Sequence, residues 1–74
     1  MPRLPQVSGK QAVKAFERAG YEEVRQAGSH IRMRKQASKP LSIPNHKQLG
    51  KGLLKRLLRD SKISPEEFTK LLKK

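Results

Sequence analysis

A chain of 74 residues builds one small domain, expected to span 1–74, and buries only a modest core. Its 18 Lys and Arg against 6 Asp and Glu leave a formal net charge of +12, which favours a polyanionic partner, nucleic acid first and an anionic membrane surface second. The absence of Cys excludes disulfides and thiolate metal sites, and the two His lack a nearby acidic residue with which to hold a metal. No apolar run is long enough to span a membrane, and Met1-Pro2-Arg3-Leu4-Pro5 lacks the apolar stretch of a secretory signal, so a reducing cytoplasm is the expected location.

In chain order, residues 1–7 read as an extended lead-in, because Pro2 and Pro5 disfavour helix around them. Ser8 and Gln11 then match a capping box, with Val7 and Ala12 placed for a hydrophobic staple. Ala12, Val13, Phe16 and Ala19 give one helical stripe, and Gly20 is the stop. Lys10, Lys14 and Arg18 form a second stripe, read as a solvated face. Tyr21 to Ala27 is the first strand, with an imperfect alternation between Tyr21 and Val24 that a bulge or a late start would reconcile. Gly28-Ser29 makes the turn, and a second strand follows from about Ser29 to Lys35. Gln36 to Lys39 is a loop. Leu41-Ser42-Ile43 is a short third strand, and the flanking Pro40 and Pro44 suit an edge position.

A loop over 45–52 leads to a helix with Leu53, Leu54, Leu57 and Leu58 on one side and Lys51, Lys55 and Arg59 opposite. The chain breaks at Lys62-Ile63. Ser64-Pro65-Glu66-Glu67 starts a last helix with a capping box, and Phe68, Leu71 and Leu72 form its apolar side. The predicted fold is α+β: a three-stranded antiparallel sheet with helices on one face only. The other face stays wet.

That wet face carries His30, Arg32 and Arg34, because Ile31 and Met33 alternate with them and point to the core. An imidazole in line with two guanidiniums suits RNA chemistry. RNA supplies its own nucleophile, the 2′-hydroxyl, so a protein need only move two protons and stabilise the phosphorane. Arg32, Arg34 or Lys47 could supply the charge. The plainer reading makes His30 an ordinary turn-flanking residue. His46 is equally open: it could contact phosphate, cap the coming helix, or do neither. Ser29 cannot belong to a Ser-His-Asp triad, since Asp60 is the single Asp and lies at a helix end. Gly50-Lys51-Gly52 lacks the spacing of a phosphate-binding loop. One Tyr and two Phe are too few for a base-stacking platform.

Around the turn, Gly20-Tyr21 with Arg25-Gln26-Ala27-Gly28-Ser29-His30 resembles the core of the HicA toxins, the mRNA interferases of type II toxin–antitoxin pairs. Ile43-Pro44-Asn45-His46-Lys47 resembles that family's Pro-x-His-Lys segment, and Gly52-Leu53-Leu54-Lys55-Arg56-Leu57-Leu58-Arg59 resembles its Gly-Thr-Leu helix start. The likeness covers roughly 7–72. Leu53 departs from it: many members have Thr there, which could cap the helix, so Gly52 or Gly50 begins it less well here or the start shifts. The resemblance implies a double-stranded-RNA-binding-domain-like fold, a metal-independent endoribonuclease acting on mRNA, and neutralisation by a HicB antitoxin. It implies His30 as the catalytic residue, with Gly28 and Ser29 supporting its turn. Arg25, Arg32, Arg34, His46 and Lys47 are the expected RNA contacts. No cofactor is called for. A non-catalytic RNA-binding module of the same fold is the alternative, and a subunit whose basic face meets an acidic protein is a third.

Overall fold

The computed structural model describes residues 6–73. Residues 1–5 of the expected lead-in lie outside that span, while Val7, placed for the staple, is buried. The elements run α1 (Gly9–Arg18), β1 (Glu22–Ala27), β2 (His30–Arg34), β3 (Leu41–Pro44), α2 (Lys51–Ser61) and α3 (Pro65–Leu72). The fold is α+β, with three helices and one three-stranded antiparallel sheet in the order β1-β2-β3.

The start of α1 is fixed by its sequence. The Gln11 N–H donates to Ser8 Oγ at 3.1 Å, and the Ser8 N–H donates to Gln11 Oε1 at 2.9 Å, which completes the expected box. Its far end stops at Gly20, whose φ of 105° few other residues tolerate. There Lys35 Nζ donates to the Ala19 carbonyl at 2.9 Å, placing a cation where the helix dipole favours one.

β2 shows the predicted alternation, with Ile31 and Met33 buried and His30, Arg32 and Arg34 exposed. β1 does not begin at Tyr21, which is buried ahead of the strand, and all six residues of β1 are exposed. Its pairing shifts between Glu23 and Arg25, so Val24 is a bulge and stands 54% exposed. The bulge resolves the broken alternation between Tyr21 and Val24. β3 occupies an edge, as its prolines require. His30 faces Pro44 across the ladder, and the Asn45 N–H donates to the Ser29 carbonyl at 2.6 Å. Pro44 therefore falls at a position whose missing N–H would point away from β2, and no ladder bond is lost.

α2 begins earlier than the expected loop over 45–52 allowed. Gly50 is its N-cap, with no side-chain cap bond, and the Leu54 N–H reaches the Gly50 carbonyl at 3.0 Å. Leu54, Leu57 and Leu58 are buried, while Leu53 is partly buried. Lys62 ends α2 with a φ of 60°, and Ile63 tucks into the core. Ser64 caps α3 by accepting from the Glu67 N–H at 3.1 Å; only this half of the expected box forms. Phe16 is the centre of the core, 5.4 Å from the Phe68 ring and 5.8 Å edge-on from Tyr21. Met33, Ile43 and Leu54 are buried with it. The helices thus cover the inner face of β2 and β3, and the outer face holds His30.

Candidate functional site

His30 enters β2 directly after a two-residue turn, Gly28-Ser29, closed by the Ala27–His30 pair. Gly28 has a φ of 59° and Ser29 does not share the positive sign, which is the II′ pattern of tight hairpins. A side chain at Gly28 would meet nothing within 4 Å, so the glycine is there for its backbone and not for space. The turn holds His30 at the end of the sheet, exposed, on the face away from the helices.

Residues paired across a ladder share a face, so the register places the neighbours of His30. Arg32 stands opposite Arg25 on β1 and Ser42 on β3, and Arg34 stands opposite Glu22. The bulge at Val24 brings Arg25 into that position. Two guanidiniums side by side repel one another in the free protein, and an anion between them removes the penalty. The acidic Glu22 stands at the far end of the strand face. The half nearest His30 is purely cationic.

Three backbone bonds bring the post-β3 loop and the start of α1 to the same corner. The Asn45 N–H donates to Ser29 O, the Gly9 N–H to His46 O at 2.9 Å, and the Leu49 N–H to Val7 O at 2.8 Å. Gly9 is buried here, and a Cβ on it would overlap the Pro44 carbonyl oxygen. His46 and Lys47 are exposed on this loop. Neither α1 nor α2 has an acid in its first turn, and α2 has no side-chain cap. The α1 start is closed by its capping box and by the Gly9–His46 bond, so only the α2 start keeps first-turn N–H groups without a side-chain partner. Among the described residues no group of three or more His, Cys, Asp or Glu comes together as a metal site.

A model of the HicA toxin of bacterial toxin–antitoxin systems matches residues 9–63. The chain belongs to the HicA toxin family. The matched span contains α1, the whole sheet and α2, and with them each of the candidate residues. Among solved structures, a chain described as "Toxin-Antitoxin complex from Streptococcus pneumoniae" is 29% identical, with a TM-score of 0.70. That likeness covers 77% of this chain and 98% of the other. Comparison with curated proteins finds no match.

In this HicA toxin the sequence-derived candidates divide into two groups. Gly28, Ser29, His30, Arg25 and Arg32 share the turn and the adjoining outer face, and the Asn45–Ser29 bond brings the His46 and Lys47 loop to the same corner. Arg34 lies at the far end of β2, opposite an acid. Sequence reasoning missed Gly9. Its signal was a glycine at the first helical position, which the Ser8 capping box made look incidental.

Proposed function

We propose that this HicA toxin is an endoribonuclease that cleaves mRNA in the cytoplasm without a metal, with His30 as its proton-transfer residue. The observation that carries the reading is the exposed His30 beside the Arg25–Arg32 pair, at the end of the outer strand face that holds no acid. The 2′-hydroxyl of the substrate attacks the adjacent phosphorus, and the bond to the 5′-oxygen breaks. Imidazole takes or gives protons near neutral pH, which is the one chemical service this reaction needs. Arg25 and Arg32 hold the phosphate and offset the charge that builds on it. Lys47 extends the cationic edge, and Arg34 contacts RNA farther along β2. Gly28 and Ser29 set the position of His30 through the turn.

The partner of the toxin is, on this reading, a HicB-type antitoxin. An active ribonuclease endangers its own cell, and a basic open face recruits an acidic protein quickly. Masking the His30 face then silences the enzyme. The test of the enzymatic reading is incubation of the pure protein with RNA in EDTA, followed by end-group analysis. The expected products carry 2′,3′-cyclic phosphate and 5′-hydroxyl ends, at a rate EDTA leaves unchanged. RNA that is bound but never cut would establish the non-catalytic binding module instead.

A further inference from the structure

We infer that His46 is a second proton-transfer residue, paired with His30 across one phosphodiester. The inference rests on the ribonuclease reading and adds a group that reading lacks. In-line attack puts the 2′-hydroxyl on one side of phosphorus and the departing 5′-oxygen on the other. One imidazole reaches both only by moving between them; two imidazoles serve one end each.

The sheet brings the second imidazole within range. Ser29 and Asn45 are joined by the 2.6 Å bond, so the next pair, His30 and Pro44, is the closer kind that exchanges no bonds. Cα atoms in such a pair stand about 4.5 Å apart. His46 is two residues beyond Pro44, a reach of at most about 7 Å. The two histidine Cα atoms are therefore no more than about 12 Å apart, a gap that two imidazoles and one phosphate span. The position of His46 is fixed by its carbonyl, which accepts the Gly9 N–H, while its side chain remains exposed.

The surroundings of His46 lack carboxylates. Lys10 lies in the first turn of α1, Lys47 beside it, and Lys51 in the first turn of α2. On β2, His30 pairs with Pro44, two residues before His46, and Arg32 with Ser42, and neither β2 nor β3 contains an acid. Glu22 and Glu23 stand at the other end of β1. An anion that fits between the two histidines must come from outside, and the substrate phosphate is such an anion. The balance of the step is simple. One neutral imidazole takes the 2′-hydroxyl proton as the new O–P bond forms. The other, protonated, gives its proton to the 5′-oxygen as the old O–P bond breaks. No oxidant or cofactor enters.

The test compares His46→Ala and His46→Gln with the wild type in folding, RNA binding and the pH dependence of kcat. Both variants should melt like the wild type and bind RNA within a few-fold. Their kcat should fall about 10²-fold, with one limb of the bell-shaped pH profile removed. An RNA with a 5′-bridging sulfur, which leaves without a proton, should restore the rate of either the His30 or the His46 variant and not both. That pattern names the acid. A kcat near wild type with both limbs intact, or a rise in KM alone, would overturn the inference and leave His46 an RNA contact. Wild-type protein that binds RNA and never cuts it would sink the ribonuclease reading itself, a separate outcome.

Discussion

Gly28 and Gly9 bracket the candidate site, and each is needed for a different reason. Gly28 adopts a φ of 59° in open space, so Gly28→Ala strains the backbone by about 1–2 kcal/mol and touches nothing. Gly9 is ordinary in conformation and lacks room, because its missing Cβ faces the Pro44 carbonyl. Gly→Ala in a helix normally gains about 1 kcal/mol. Here the sign reverses, because the overlapped atom is backbone and β3 must shift, at a cost of about 1–3 kcal/mol, typical of overpacking. Chemical denaturation should show Gly9→Ala destabilised despite its better helix propensity, and its cleavage rate should fall with the displaced loop. An unchanged or raised midpoint would contradict the packing described. The role of Gly28 was legible, since a turn residue precedes a cleanly alternating strand. That of Gly9 was not, since its contact comes from Pro44, distant in the chain and brought close only by the fold.

At the scale of elements, legibility followed burial. β2 lies between two strands and under helices, so Ile31 and Met33 announce its inner face. β1 overhangs the helices, and with every residue exposed it has no pattern to read. Its charges and its bulge instead protect a free edge from pairing with another chain. Leu49, buried in the loop read over 45–52, sits outside any periodic stretch and could be placed only through its bond to Val7. Tyr21, just before β1, ties the sheet to the core. Burial raises its phenol above the ordinary value of 10.0, a nearby Ser38 opposes this, and Asp60 adds to it. The folded protein thus holds the phenol proton more tightly than the unfolded chain does. The stability this contributes is complete below about pH 10 and is lost as pH rises through the folded pKa. The stability difference between wild type and Tyr21→Phe should be flat at neutral pH and should move in favour of Phe above about pH 10. A constant difference across that range would show that the phenol is not perturbed by folding.

For the whole molecule the dominant quantity is charge. A net +12 on 74 residues is uncompensated by any partner in the chain, and little of it is buried. With Val24 the one large hydrophobic exposed among the described residues, affinity for RNA should be electrostatic and weakly selective for sequence. Neutralising about three to five phosphates gives a slope of log K against log salt of about −2 to −3.5 for single strands. A titration in increasing salt with a slope near zero would remove the polyanion site. The account as a whole turns on His30, which is exposed opposite a core-facing strand edge and can be removed without opening a cavity. The most direct measurement is cleavage of RNA by wild type and His30→Ala side by side, with thermal melting and RNA binding measured on the same samples. The variant should melt within about 0.5–1 kcal/mol of wild type and bind RNA through its Lys and Arg. Its cleavage should fall at least ~10²-fold. A well-folded His30→Ala that cuts RNA at the full rate would contradict the account.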